Sequence, residues 1–333
     1  MKGIQLVKTG DANKAFEVRE LNRPEPKIGE VLIKVNSFGL NYADVMARNG
    51  LYKDAPPIPC TLGYEAVGIV EQIGQKVESF REGDRVLAFT RFGAYAEYCI
   101  ADQRAIVKIG NKLTDAEATA VATQFCTAYF ASYYMANIQG GEKILVHAAA
   151  GGVGLAVVQL AKLRGCKIYA TAGSDDKIKF LEELGVDKAI NYRKFDFQHQ
   201  IQEKVDVIFD PIGGSSFKKG KKLLSHGGRI ICYGGAERSG GGLLSTLKFV
   251  WNFGFFTPIA LLMKSQGIIG VNMLRIADNK PELLQQLMRE VIDLVNAGEI
   301  KPYIGNVYKH NDIAKAHQYL ESRESIGKIV VEW

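Results

Sequence analysis

The fold is decided by the stretch Lys143-Ile-Leu-Val-His-Ala-Ala-Ala-Gly-Gly-Val-Gly154, which joins a β-type run to the helical run Leu155–Leu163. Against the pattern G-x-G-x-x-G, Ala149, Gly151 and Gly154 take the three positions, with alanine in place of the first glycine. A strand, a glycine turn and a helix in this order allow the pyrophosphate of a dinucleotide to bind the helix N-terminus, where unpaired N–H groups and the helix dipole attract anions. The stretch therefore predicts a dinucleotide-binding unit of the Rossmann type.

On the C-terminal side of this stretch, β-type runs alternate with helical segments. The β-type runs are Lys143–His147, Lys167–Thr171, Val205–Asp210 and Arg229–Tyr233. Strands and helices in alternation indicate a parallel, doubly wound sheet with helices on its faces. The middle of the chain is therefore predicted to be an α/β domain.

On the N-terminal side, residues 1 to about 112 read as short strands separated by clusters of Gly, Pro, Asn and Asp. Thr114 and Glu117 have capping-box spacing, and the alanine-rich run that follows predicts a helix that begins there. After the middle region come a β-type run at Gly267–Val271, a helical segment and a final β-type stretch at Lys328–Trp333. A β-rich start and a mixed end predict that the last segment returns to complete the first domain.

The chain has 333 residues, of which 47% are hydrophobic and 23% charged, so two folded domains are expected. A net charge of +6 is too small to indicate a nucleic-acid partner. The five cysteines form no closely spaced pair and no secretory signal is evident, which favours a reducing, cytoplasmic location. The longest apolar run, Phe249–Met263, is shorter than the ~20 residues that span a bilayer. It is either a buried or interface segment of a soluble protein or a membrane-surface contact.

The end of the second strand of the α/β region bears on which dinucleotide binds. Sites specific for NAD usually place an Asp or Glu there to bond the ribose hydroxyls, but this strand ends in Ala172-Gly173-Ser174. The acids that follow have the character of a first helical turn capped by Ser174. Lys177 and Tyr192 are instead candidates for binding a 2′-phosphate, the alternative being a solvated lysine and a packed tyrosine.

Further motifs follow in a fixed order along the whole chain. They are Phe38-Gly-Leu-Asn41-Tyr-Ala-Asp44, Leu62-Gly-Tyr64-Glu65-Ala-Val-Gly68, Val205-Asp-Val-Ile-Phe-Asp210-Pro-Ile-Gly213-Gly214 and Gly327-Lys328-Ile-Val-Val. Together with the glycine turn, these segments resemble the medium-chain dehydrogenase/reductase superfamily. Its zinc-free quinone oxidoreductase branch, which includes zeta-crystallin and VAT-1-like proteins, fits best. Several motifs in one order are far more specific than any one of them.

The resemblance implies an α/β fold with two domains. A GroES-like, β-rich catalytic domain is expected at residues 1–122 and 266–333, with a Rossmann domain at 123–265. The resemblance also implies NADPH as the cofactor and a homodimer, with Gly151 and Gly154 shaping the cofactor turn. The expected cofactor contacts, carried over position by position, are Thr127, Gly152, Val153, Gly173, Ser174, Lys177, Tyr192, Tyr233, Asn272 and Lys328.

The metal ligands of the zinc-dependent relatives have no counterpart in this sequence. Where those relatives carry Gly-His-Glu, this chain reads Gly63-Tyr64-Glu65, and no histidine precedes His147. The four closely spaced cysteines of the structural zinc lobe are also missing. Because zinc needs at least three N, S or O ligands from the protein, no metal site is expected. Glu65 is either a buried, hydrogen-bonded carboxylate or an acid or metal ligand.

Asn41, Tyr52 and Tyr64 match the family's substrate cleft and are the candidate catalytic residues. Without a metal to polarise an alcohol, the resemblance implies hydride transfer from NADPH to a quinone or an α,β-unsaturated carbonyl. Hydrogen-bond donors would then stabilise the negative charge that develops on the acceptor oxygen. The alternative is an NADPH-binding protein of the VAT-1 type, membrane-associated or without catalytic activity. The natural acceptor and the proton donor stay open.

Overall fold

The computed structural model describes residues 1–237 and 249–333 and divides into two compact units. The first unit comprises Met1–Cys126 and Met273–Trp333, and the second comprises Thr127–Asn272. Antiparallel pairing dominates the first unit, whereas the second unit is built on a parallel sheet with helices. The predicted α/β class, with a β-rich domain that the C-terminal segment completes, is confirmed.

The described strands, numbered in chain order, belong to three sheets. They are β1 Lys2–Leu6, β2 Phe16–Glu20, β3 Glu30–Leu40, β4 Cys60–Thr61, β5 Glu65–Ile73, β6 Arg85–Phe89, β7 Tyr98–Asp102, β8 Ile106–Lys108, β9 Lys143–Val146, β10 Lys167–Ala172, β11 Lys188–Asn191, β12 Val205–Asp210, β13 Leu224–Cys232, β14 Gly267–Gly270, β15 Ile304–Lys309 and β16 Lys328–Glu332. In the first unit, β2-β1-β4 form a small sheet, and a larger one has the order β15-β16-β3-β5-β6-β8, with β7 also paired to β3. In the second unit the order is β11-β10-β9-β12-β13-β14.

The helices are numbered in the same way. They are α1 Ala12–Ala15, α2 Tyr42–Arg48, α3 Asp115–Ala120, α4 Cys126–Tyr129, α5 Gly152–Leu163, α6 Asp175–Glu183, α7 Phe197–Gln200, α8 Ser215–Leu223, α9 Pro258–Leu262, α10 Met273–Asn279, α11 Pro281–Asn296 and α12 Ile313–Glu321. Thr114 caps α3 as predicted, because its hydroxyl oxygen accepts the N–H of Glu117 at 3.2 Å and the Glu117 carboxylate accepts the N–H of Thr114 at 3.0 Å. Two π-helical stretches, Val121–Phe125 and Phe130–Met135, flank α4.

The unit boundaries lie after Cys126 and after Asn272, whereas the sequence predicted breaks at 122/123 and 265/266. The second difference has a clear cause. β14 pairs in parallel with β13, from Gly267 opposite Arg229 to Gly270 opposite Cys232. The run assigned from the sequence to the catalytic domain is therefore the outermost strand of the parallel sheet.

β3 organises the first unit and positions its polar site. Its residues Val31, Ile33 and Val35 alternate along the strand and are buried in the core. Among the partners of β3, β5 and β16 both run antiparallel to it and pair with its C-terminal half. The end of β3 therefore lies beside the starts of β5 and β16, so that residues following one strand meet the first residues of the other two.

Candidate active site

The glycine turn of the second unit follows β9 and leads into α5. The N–H of Gly151, the N-cap residue, donates to the Ala148 carbonyl oxygen at 3.0 Å. A Cβ atom at Gly154 would lie 2.5 Å from that oxygen and 2.7 Å from Ala149 Cα, so only glycine lets the helix approach the turn this closely. Among the described residues no side chain caps α5. The first N–H groups of the helix are therefore available to an anion.

Most of the other predicted cofactor residues follow the carboxyl ends of the parallel strands. They are Gly173 and Ser174 after β10, Tyr192 after β11, Tyr233 after β13 and Asn272 after β14. Lys177 lies in the first turn of α6, and Thr127 lies in α4. Open parallel sheets bind their ligands at the carboxyl ends of the strands. The structure thus brings the glycine turn and these strand-end residues to one edge of the second unit.

Gly173 allows two polar side chains to approach the end of β10. A Cβ atom at Gly173 would lie 2.7 Å from the Tyr192 hydroxyl and 3.4 Å from Arg193 Nε. Lys177 is the third residue of the helix that Ser174 caps, and Ser174 Oγ accepts its N–H at 3.4 Å. Sequence reasoning missed Arg193, although its place directly after Tyr192 was a usable signal. The Tyr192 hydroxyl and the Arg193 guanidinium beside Gly173 are hydrogen-bond donors of the kind that bind a phosphate.

Asp175, the first acid after β10, is paired with side chains of the second unit. Asp175 Oδ1 accepts a hydrogen bond from Asn191 Nδ2 at 2.8 Å, and Oδ2 forms an ion pair with Lys194 at 2.6 Å. Hydrogen bonds from Lys194 and then Asn191 lower the pKa of this carboxyl. The interpretation of Asp175 as a first-turn residue behind the Ser174 cap is confirmed.

Two further polar groups lie at the carboxyl ends of β12 and β13. Asp210 Oδ1 accepts the N–H groups of Ile212 and Gly213 at 2.8 and 2.9 Å, which shapes the loop after β12. The Tyr233 hydroxyl is buried and has no hydrogen-bond partner in the part of the chain that the structure describes. Burial, followed by the nearby Asp210, raises the pKa of this phenol, so that it stays protonated.

In the first unit, Asn41, Glu65 and Lys328 meet at one end of the larger sheet. Lys328 Nζ donates to Asn41 Oδ1 at 2.9 Å and forms an ion pair with Glu65 Oε1, which also accepts a hydrogen bond from Asn41 Nδ2 at 2.9 Å. The other Glu65 oxygen accepts the backbone N–H of Thr123 at 2.7 Å. Lys328 and Glu65 are fully buried, and Asn41 is 8% exposed. The interpretation of Glu65 as a buried, hydrogen-bonded carboxylate is confirmed.

Gly39 provides the space for this network. It lies on β3 opposite Val330 of β16. A Cβ atom at Gly39 would overlap Lys328 Cε and Glu65 Oε1 and would lie 2.7 Å from Lys328 Nζ. Any side chain at position 39 would therefore displace the ion pair.

Asp44 adds a second buried carboxyl beside the network. Its Oδ2 accepts the backbone N–H of Asn41 at 2.8 Å. Burial raises the pKa of Asp44 to about 7, against the opposing effects of that hydrogen bond and of Lys328. The motif that contains Asp44 predicts no role for it, although its spacing of three residues from Asn41 is that of a residue facing a helix cap.

Tyr52 and Tyr64 lie close together in the same unit. Their rings meet edge to face with 6.2 Å between centroids, and Tyr64 also packs against Phe92 at 5.1 Å. The Tyr64 hydroxyl is buried and makes no hydrogen bond of standard geometry within residues 1–237 and 249–333. Burial raises the pKa of both phenols. Both side chains are therefore protonated donors at neutral pH.

The predicted site residues thus fall into two sets. Asn41, Tyr52, Tyr64 and Lys328 belong to the first unit, and the others belong to the second. Lys328, which the resemblance assigns to the cofactor, lies in the network with Asn41. In the described part of the chain, no three His, Cys, Asp or Glu side chains come together as a metal site.

Comparison with known proteins agrees with this arrangement. Residues 27–111 match the family described as alcohol dehydrogenase GroES-like domain, and residues 184–331 match zinc-binding dehydrogenase. The human synaptic vesicle membrane protein VAT-1 homolog is 34% identical over 316 residues, which cover 92% of this chain and 80% of that protein. Human quinone oxidoreductase is 32% identical over 338 residues, covering 99% and 97%. A mycobacterial protein solved in complex with NADPH has a TM-score of 0.88 at 26% identity, covering 100% of both chains.

The two human relatives are similar over nearly the whole of this chain, and the matched domains lie in the order that the motifs predicted. The glycine turn and the Tyr64 position agree with the same assignment. The chain belongs to the zinc-free quinone oxidoreductase and VAT-1-like branch of the medium-chain dehydrogenase/reductase superfamily.

Proposed function

We propose that this protein is an NADPH-dependent oxidoreductase that transfers a hydride to a quinone or an α,β-unsaturated carbonyl, with hydrogen-bond donors rather than a metal ion at the acceptor oxygen. The observation that carries the proposal is the buried hydroxyl of Tyr64, which interacts with the Tyr52 phenol and stands in the place where zinc-dependent relatives have a histidine. A neutral phenol is a poor zinc ligand but a good donor to a developing oxyanion. Membership of an oxidoreductase family supports the hydride chemistry.

NADPH is the cofactor, and the second unit has the features that this molecule needs. The uncapped start of α5, with Gly151 and Gly154 in the turn, leaves room and N–H groups for a pyrophosphate. We assign the 2′-phosphate to Lys177, Tyr192 and Arg193. The remaining contacts are assigned to Thr127, Gly152, Val153, Gly173, Ser174, Tyr233 and Asn272.

In the proposed reaction the first unit stabilises the acceptor. When bound, NADPH supplies the hydride, and negative charge then builds on the acceptor oxygen. Asn41, Tyr52 and Tyr64 donate hydrogen bonds to that oxygen. Because burial keeps both phenols protonated, they act as donors and leave the final proton to another source.

The proposal is tested by measuring NADPH oxidation with a panel of quinones and enones. Asn41→Ala, Tyr52→Phe and Tyr64→Phe are each expected to slow single-turnover hydride transfer by roughly 10- to 100-fold, because a lost oxyanion donor costs ~1–3 kcal/mol. The affinity for NADPH should stay unchanged. Tyr98→Phe, a tyrosine on β7 that stacks with Arg23, is the matched control and should have no effect. Parent rates in all three variants would contradict the donor roles, and absence of turnover would contradict the proposal itself.

A second function, a membrane-associated NADPH-binding protein without turnover, is favoured by one observation. Trp251, Phe255, Ile259, Leu262 and Met263 are large apolar side chains of one segment and are 70–88% exposed, as is typical of an interaction surface. Within the described residues no helix is long and apolar enough to cross a bilayer. We therefore expect this apolar surface to be buried against a membrane surface or another protein chain.

We expect a second copy of the chain to bury this apolar surface, in a cytoplasmic homodimer. β14 has one unpaired edge in the described structure and lies just after the exposed segment, so the two can be covered together. Light scattering should give twice the 36.6 kDa of one chain. A monomer that floats with anionic liposomes would support the membrane-associated function instead.

A further inference from the structure

We propose that Lys328 and Glu65 are positioning residues that fix the orientation of the Asn41 side-chain amide for the acceptor. The inference rests on the proposed function, since it assumes that Asn41 donates to the acceptor oxygen. It gives Lys328 a role different from the cofactor contact that the resemblance implies.

The hydrogen bonds of the amide define its orientation completely. Asn41 Oδ1 accepts from Lys328 Nζ at 2.9 Å, and one N–H of Asn41 Nδ2 donates to Glu65 Oε1 at 2.9 Å. If the amide were flipped, its N–H groups would face the ammonium and its oxygen would face the carboxylate. Both contacts would become repulsive, so the charges on Lys328 and Glu65 select one of the two orientations.

This orientation leaves one donor for a ligand. A primary amide has two N–H groups, of which Glu65 takes one. Asn41 is the member of the network that keeps some exposure, at 8%, while Lys328 and Glu65 have none. We therefore assign the contact with the substrate to the second N–H of Asn41.

The network is rigid because each member is fixed by its backbone. Glu65 and Lys328 are the first residues of β5 and β16. Asn41 follows β3, and its own N–H is bound by Asp44 Oδ2 at 2.8 Å. The second Glu65 oxygen is bound by the N–H of Thr123 at 2.7 Å. A side chain held in this way can place a donor to within the tolerance that catalysis requires.

The charge of Lys328 is balanced inside the first unit. Its ammonium is fully buried and contacts the Glu65 carboxylate and the Asn41 carbonyl oxygen. Arg193, which we assign to the 2′-phosphate, is by contrast exposed. The two roles for Lys328 make opposite predictions, because a positioning residue affects the rate through Asn41, whereas a cofactor contact affects the affinity for NADPH.

The test uses the full chain with Glu65→Gln/Lys328→Met, a double variant that leaves no unpaired buried charge. We expect hydride transfer to an enone to slow by roughly 10- to 100-fold in a single turnover, with the Kd for NADPH changed less than about twofold. In the Asn41→Ala background the same double substitution should have almost no further effect on the rate. Lys309→Met, which breaks the exposed pair with Glu332 on the same sheet, is the matched control and should behave as the parent.

Two results, one on NADPH affinity and one on the rate of hydride transfer, would overturn the inference. A tenfold or greater loss of NADPH affinity with an unchanged rate would assign Lys328 to the cofactor. An equal slowing with alanine at position 41 would show that the pair does not act through Asn41.

A readout independent of turnover separates this inference from the proposed function. The side-chain amide signals of Asn41 are assigned in an ¹⁵N spectrum by their loss in Asn41→Asp, and the signal of the N–H bound to Glu65 should be slow to exchange with solvent in the parent. In Glu65→Gln/Lys328→Met this signal should lose that protection, and in Lys309→Met it should keep it. Unchanged protection in the double variant would refute the positioning role even if no acceptor is turned over.

Discussion

The glycine turn of the second unit and the Asn41 network of the first unit differ in whether their charged and polar groups are exposed or paired. At the turn, backbone N–H groups have no side-chain cap among the described residues, and the cation Arg193 is exposed. In the network, Lys328 and Glu65 are fully buried and neutralise each other. The first site leaves backbone N–H groups uncapped and a cation exposed, as an anion site requires, whereas the second pairs its charges around a neutral amide.

The largest effect expected from this contrast is on stability. Lys328→Met would leave the Glu65 carboxylate buried without its cation, so we expect the free energy of unfolding to fall by about 3–5 kcal/mol. Lys309→Met breaks a pair whose lysine is 68% exposed and should cost less than about 1 kcal/mol. Urea denaturation of the two variants measures the difference.

The double variant Glu65→Gln/Lys328→Met sharpens the same test. Because it removes both charges, most of the lost stability should return. If Lys328→Met alone unfolds at the urea concentration of the parent, the pair is not desolvated in solution and the contrast between the two sites fails.

The next largest effect is the pH dependence that Asp44 imposes. Folded Asp44 has a pKa of about 7 because of burial, against an ordinary value of 3.8, so the unfolded chain releases this proton first. Stability contributed by protonated Asp44 is therefore present at low pH and is lost as pH rises from about 4 to about 7. Between pH 5 and pH 8 we expect the parent to lose about 2–3 kcal/mol more stability than Asp44→Asn, which cannot ionise. Equal losses in urea titrations at the two pH values would show that Asp44 is already ionised when folded.

The smallest effect concerns the open site. Lys177→Ala and Arg193→Ala should each weaken NADPH binding by roughly 10- to 100-fold and leave NADH binding unchanged, because a charge-assisted contact to the 2′-phosphate contributes ~1.5–3 kcal/mol. Lys179→Ala, on the same helix as Lys177 with an exposed side chain, is the matched control. Fluorescence titration with both cofactors measures the ratio. Equal losses for NADPH and NADH would remove the phosphate assignment.

The two sites also differ in how far they could be predicted. The glycine turn can be predicted from the sequence because Ala149, Gly151 and Gly154 are local in sequence and each has a close backbone contact. The Asn41 network joins positions 24 and 287 residues apart, and its members meet only because β5 and β16 both flank β3. The resemblance implies a cofactor contact for Lys328, but its pairing with Glu65 and Asn41 follows only from the order of the strands in the sheet.

The boundary of the parallel sheet shows the same limit. The sequence pattern of Gly267–Val271 predicts a β-strand. The predicted break at 265/266 places this strand in the catalytic domain, whereas in the structure it belongs to the second unit. A short apolar strand carries no signal for which sheet it joins. Its pairing with Arg229–Cys232 depends on tertiary register, which the local pattern does not encode.

Gly39 restricts how this acceptor site can be redesigned. A mutant library aimed at new quinones or enones can vary Tyr52 and Tyr64, because we propose that those side chains contact the substrate. Position 39 must be held constant in such a library, since every alternative residue carries a Cβ that occupies the place of Lys328 and Glu65. Transplanting the site onto another β-rich scaffold has the same requirement, namely a bare backbone position on the central strand, one residue before the strand ends. A graft of Asn41, Glu65 and Lys328 alone would lack the room for its own ion pair.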